Sequence, residues 1–134
     1  MNDAHAVLRV LGDYYAAFST LDVQTVLPYF HEPALLIGPR GLFAAATHAV
    51  LASAFAPAVA DLRDKGFGRS ELSVRDVRSL SETAALVTGV AQRFKVNGTE
   101  LERVGVTYVL HKGDTDWRIA VLILHDVTDG GSSS

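Results

Sequence analysis

The chain has 134 residues with a formal net charge of −3, 49% apolar and 20% charged residues, and no cysteine. That length fits one domain with a sizeable core, and the composition is too apolar for a disordered protein. The missing cysteines exclude disulfides, thiolate metal sites and cysteine nucleophiles; the acidic balance, with no run of Lys or Arg, argues against nucleic acid as a partner.

The longest apolar run, Ile119 to Leu124, falls far short of the about 20 residues a membrane-spanning helix needs, so no membrane association is expected. The opening Met1-Asn2-Asp3-Ala4-His5 lacks a basic segment followed by an apolar one, so no signal peptide is expected and the cytoplasm is the expected location.

In chain order, Asn2 or Asp3 can cap a first helix whose apolar positions, Val7, Leu11, Tyr14 with Tyr15, and Phe18, recur at helical spacing. Asp22 reads as the cap of a short second helix, Val23 to Phe30, which Pro28 keeps short or bent. Ala34 to Ile37 reads as a brief strand, Gly38-Pro39-Arg40-Gly41 as a turn, and Leu42-Phe43 as a second short strand. Thr47 opens a third helix to about Lys65, with Leu51, Phe55 and Leu62 on its buried stripe, a kink expected at Pro57, and Gly66 or Gly68 ending it.

From Ser70 the period becomes two, giving strands at about 70–80, 84–96, 99–111 and 117–125. Three helices followed by long antiparallel strands predict an α+β domain, with helices packed on one face of a curled sheet. The domain is expected to span 1–128; Asp129 to Ser134 (DGGSSS) reads as a flexible tail.

Asn97-Gly98 between alternating runs predicts a two-residue type I′ hairpin. That register sets Val96 opposite Thr99, Lys95 opposite Glu100 and Arg93 opposite Glu102 on one face; Phe94 meets Leu101, Gln92 meets Arg103, Val90 meets Gly105 and Thr88 meets Thr107. A four-residue loop, Gly113 to Asp116, would set Lys112 opposite Trp117, Leu122 opposite Thr107 and Asp126 opposite Arg103. One sheet face then carries Thr88, Val90, Gln92, Phe94, Arg103, Thr107, Leu122 and Asp126. The other carries Val87, Ala91, Val104, Val106, Tyr108, Leu110 and Ile123. The first is expected to look inward; the second, left uncovered, is the expected homodimer surface.

This order of elements resembles the nuclear transport factor 2-like superfamily, which includes ketosteroid isomerases and SnoaL-type polyketide cyclases. The resemblance spans roughly Ala6 to Val127. It is most telling in Tyr14-Tyr15-Ala16-Ala17-Phe18, Asp22, and Leu27-Pro28-Tyr29-Phe30. It implies a cone-shaped domain, a curved antiparallel or mixed sheet wrapped around three N-terminal helices (a cystatin-like roll) with an interior pocket. Fold does not fix function. Ketosteroid isomerase pairs an aspartate base with a tyrosine and a protonated aspartate. Its tyrosine falls on Tyr14, but its base falls on Gly38 and its protonated aspartate on Thr107. Steroid isomerisation is therefore not expected.

On the predicted inward face, Arg103, Gln92 and Asp126 form a charged group: Arg103, with Gln92 and Thr107, to bind a carbonyl or carboxylate, Asp126 to act as base. The same residues also read as a cross-strand ion pair that satisfies itself. His31 reads either as a base at the pocket mouth or as a cap on the preceding helix. Tyr14 would donate a hydrogen bond, and Phe18, Leu36 and Phe94 would line the apolar wall or fill it. The scattered histidines show no metal-ligand spacing and no phosphate loop is present, so no cofactor or metal is expected. These residues frame two readings. One is a dimeric domain binding a small, mostly apolar molecule with a carbonyl or carboxylate, in a cofactor-independent cyclase-, isomerase- or dehydratase-like role. The other is a non-catalytic assembly module with a vestigial pocket.

Overall fold

A computed structural model describes residues 4–127; the expected caps at Asn2 and Asp3 and the expected tail lie outside the described residues. The chain runs α1 (Ala4–Phe18), α2 (Val23–Val26), a 3₁₀ turn (Leu27–Tyr29), β1 (Phe30–Gly38), β2 (Gly41–Ala45), α3 (His48–Asp64), β3 (Phe67–Ser81), β4 (Ala84–Lys95), β5 (Glu100–Lys112) and β6 (Trp117–His125).

The helices form where their sequences direct. The stripe of α1 is buried at Val7, Leu11, Tyr14, Tyr15 and Phe18. Asp22 caps α2 by accepting from the Gln24 amide at 3.0 Å. Pro28, which has no amide hydrogen to continue an α ladder, sits in the 3₁₀ turn that ends this region. Thr47 Oγ1 accepts from the Val50 amide at the start of α3, which buries Leu51, Phe55, Val59 and Leu62 and continues through Pro57. Gly66, at φ +83°, ends it in the left-handed conformation a glycine adopts most readily.

All six strands share one sheet in the order β2-β1-β6-β5-β4-β3. β1 pairs parallel with β6 and every other neighbouring pair is antiparallel, which makes the sheet mixed. The helices cover one face. Their apolar stripes meet Val87, Ala91, Val106, Tyr108, Leu110, Ile119 and Leu122 in a single core.

The structure corrects the predicted arrangement in three respects. The β4–β5 turn is a three-residue loop, Val96-Asn97-Gly98, and not a type I′ pair. Gly98 N donates to Lys95 O, Lys95 N donates to Thr99 O, and Gly98 alone in the loop has positive φ, at +91°. Val96 leaves the ladder because its amide donates to Gly66 O at the root of β3. Phe94 therefore pairs with Glu100, not Leu101, and a bulge after Arg93 restores Arg93 opposite Glu102, Gln92 opposite Arg103 and Thr88 opposite Thr107 as predicted.

The Lys112–Trp117 pair is found, but a second irregularity between Val109 and Leu110 moves Leu122 opposite Tyr108 and Ile123 opposite Thr107. Asp126 lies beyond the end of β6 and pairs with nothing across the sheet. The third correction is the largest. The face carrying Val87, Ala91, Val106 and Tyr108 looks inward, and the face carrying Thr88, Gln92, Arg103 and Thr107 looks outward. The helices cover the side that gains most by leaving water, which holds the aliphatic and aromatic side chains.

Candidate functional site

A cavity of about 160 Å³ lies between the sheet and helices α1 and α3. Its deep walls are Tyr14, Tyr15 and Phe18 from α1, Phe55 and Leu62 from α3, and Ala91, Val106, Tyr108 and Leu122 from the sheet. Asp61, Arg93 and Glu102, all more exposed than the deep walls, give it a charged rim. Each wall residue is placed by a simple periodicity. Tyr14, Tyr15 and Phe18 share the buried stripe of one helix, and alternate residues of β4 and β5 put Ala91 and Arg93 beside Glu102, Val106 and Tyr108.

Three phenols meet there. Tyr15 and Tyr108 share a hydrogen bond of 2.6 Å between hydroxyls, and Tyr14 packs edge-on against both, ring centres 5.5 and 6.3 Å away. Burial pushes the Tyr15 phenol up to about 12, partly opposed by its hydrogen bond with Tyr108 and by the Arg93 charge. Burial raises Tyr14 and Tyr108 as well, and neighbouring phenols add to it. All three stay protonated near neutral pH; the Tyr15–Tyr108 bond uses one of their protons, which leaves Tyr14 and one of that pair as donors. At the rim, an Arg93 terminal nitrogen donates to Glu102 Oε2 at 2.5 Å and the guanidinium lies 5.7 Å from the centre of the Phe18 ring. Arg93 Nε is buried with no hydrogen-bond partner among the described residues. In an apolar box, protonated phenols and a guanidinium favour an oxygen-bearing, electron-rich group.

Of the residues singled out from sequence, Tyr14 and Phe18 line this cavity. Leu36 packs half-buried against the core without lining it. The others lie elsewhere. Arg103 is exposed and bonds Glu100 through Nε at 3.0 Å, which also replaces the expected Lys95–Glu100 pair. Gln92 shares Arg103's outer face. Thr107 Oγ1 contacts His125 Nε2 at 2.9 Å on that face, and Asp126 is exposed. Phe94 is half-buried under the Arg69 guanidinium, 4.3 Å from its ring centre. His31 stands edge-on to His111 at 5.2 Å, with Nδ1 3.1 Å from Pro33 O, and does not line the cavity. The sequence-level site missed Tyr15, Tyr108, Arg93 and Glu102. Their signal was present: period two puts Arg93 and Glu102 on the face of Val87 and Tyr108. Among the described residues, no group of three or more His, Asp or Glu is placed to hold a metal, and no helix is long and apolar enough to cross a membrane.

The curled mixed sheet with helices on one face and a cavity between is the cystatin-like type of α+β domain. Residues 4–127 match the family described as NTF2-like protein (DUF6841), and the chain belongs to that family. No curated protein matches it. Among solved structures, it resembles an NTF-2 like protein of unknown function from Shewanella oneidensis MR-1, with a TM-score of 0.76 and 17% identity over 93% of this chain and 100% of that one. A domain of unknown function with a cystatin-like fold from Nostoc punctiforme gives a TM-score of 0.75 and 23% identity over 96% of this chain and 80% of that one. A ketosteroid isomerase-like protein from Erwinia carotovora atroseptica gives 0.71 and 17% over 96% and 98%. At these identities the likeness is one of fold.

Proposed function

We propose that this domain holds a small, mostly apolar molecule bearing a carbonyl or carboxylate in the cavity beneath α1 and α3. The observation that carries this reading is the convergence of three protonated phenols and one guanidinium on an otherwise apolar space. Size narrows the ligand. A cavity of about 150 Å³ takes one benzene ring, so a single-ring molecule suits this space. The chemistry such a box supports without a cofactor is enolisation, dehydration or cyclisation, in which fixed hydroxyl donors stabilise charge growing on oxygen. Tyr14 and whichever of Tyr15 and Tyr108 does not donate to the other would supply the donors.

Acetophenone, a one-ring ketone, tests the cavity directly. Methyl NMR should show its binding at Ala91, Val106 and Leu122, and Ala91→Leu, which fills the space, should abolish it while the fold persists. Shifts confined to the outer sheet face, or equal binding by the filled variant, would overturn the reading.

The outward sheet face supports a second element of the proposal. Leu35, Ile37, Leu86, Val109, Val121 and Ile123 are half-buried there, on neighbouring strands, on the side away from the helices. An apolar face of this kind suits pairing with a second copy, either beside ligand binding or as the domain's whole role in assembly. Sedimentation should give a dimer that Val109→Lys with Ile123→Lys dissociates; a monomer at all concentrations would remove this element.

A further inference from the structure

Resting on the cavity reading above, we infer that the ligand is a carboxylate and that Glu102 is its built-in substitute, occupying Arg93 until a ligand displaces it.

The argument starts from the geometry at the rim. A guanidinium presents a planar fork of donors suited to a carboxylate's two oxygens. Arg93 is only partly used in that way: one terminal nitrogen reaches a single Glu102 oxygen, while the buried Nε has no partner. A buried donor left unpaired costs free energy, and such a group in a folded protein calls for an explanation. A ligand carboxylate arriving from the cavity side would engage the fork more fully than Glu102 does.

Glu102 is also suited to leave. Its side chain is 35% exposed against 19% for Arg93, so the carboxylate can swing to water while the guanidinium stays. Lys65, at the end of α3, bonds Asp61 at 2.9 Å, and the Glu102 charge helps hold its ammonium protonated. A displaced Glu102 would therefore meet a cation on the solvent side. The apolar wall of Phe18, Phe55, Val106 and Leu122 receives the ligand's ring, and a protonated phenol can add a hydrogen bond to the carboxylate that Arg93 holds.

The test is the ratio of benzoate to acetophenone affinity, read by methyl NMR in the full chain and its variants. Removing the substitute by Glu102→Gln should raise that ratio about tenfold. Arg93→Gln should lower it below the wild-type value. Asp61→Asn, which removes a rim charge that binds Lys65 and not Arg93, should change it much less. Should the Gln variant not fold, Glu102→Asp retracts the carboxylate by one methylene and should give an intermediate rise. An unchanged or lower ratio in Glu102→Gln, with acetophenone still bound in the cavity, overturns the substitution and leaves the cavity reading intact. An equal rise in Asp61→Asn overturns it as well, because the effect is then one of bulk field. If neither probe perturbs the cavity methyls in any variant, the cavity reading itself fails and this inference falls with it.

Discussion

Consider removing the hydroxyls of Tyr15 and Tyr108 one at a time and together. They bond each other at 2.6 Å, and the residues are 7% and 2% exposed. Tyr15→Phe strands the Tyr108 hydroxyl in the core, whereas Tyr108→Phe strands a Tyr15 hydroxyl beside the cavity. A buried polar group deprived of its partner costs about 1–3 kcal/mol, with Tyr15→Phe expected toward the upper end. The double variant strands nothing, and replacing both partners with apolar groups of the same shape is close to neutral. The two singles should therefore not add: the double variant should be at least as stable as the worse single, giving a coupling no smaller than the lesser single loss, about 1 kcal/mol or more. Urea unfolding followed through the lone Trp117 measures this. Additive losses, within about 0.5 kcal/mol, would refute the claim that these phenols depend on one another.

Two further outcomes follow from the same structure. Tyr15 is raised from 10.0 to about 12 in the fold, and burial raises Tyr14 and Tyr108 as well. The unfolded chain thus releases these protons first as pH rises. Their contribution to stability is fully present below pH 10 and is lost progressively above it, over a range reaching pH 12 for Tyr15. Unfolding monitored by circular dichroism should show this fall, and the double Phe variant should flatten it; a pH-independent stability above 10 would contradict the assigned burial. Gly105 is the second case. A Cβ there would lie 2.5 Å from both the His125 ring and the Asp126 carbonyl. Gly105→Ala should cost about 1–3 kcal/mol and displace the His125 ring from Thr107, visible in its NMR shifts; a neutral substitution would show that this corner adapts freely.

The helical half of the fold was legible because it depends on one period and on local caps. The stripe from Val7 to Phe18, the Asp22 and Thr47 caps and the Gly66 stop all follow from neighbours in sequence. The strands were legible as strands, and the pairing from Arg93–Glu102 inward was correct. What could not be read locally was where one extra residue enters. The three-residue loop, the bulge after Arg93 and the slip beside Leu110 each shift pairing by one, and in a structure of period two a shift of one exchanges the faces. The two faces of β4 and β5 were separated correctly, but the polar one was assigned to the interior. Arg103, Gln92 and Thr107 were thereby placed in a pocket whose charged member is Arg93.

The position of β6 between β1 and β5 has a consequence for biogenesis. The last strand to leave a ribosome is the one that joins the two halves of the sheet, so the earlier strands emerge with their central partner still missing. Until Trp117 to His125 appears, β1 and β5 each present an open row of amides and carbonyls to other chains. A stall or nonsense codon just before Trp117 would leave two unjoined fragments of sheet, a species for chaperones and proteases to handle.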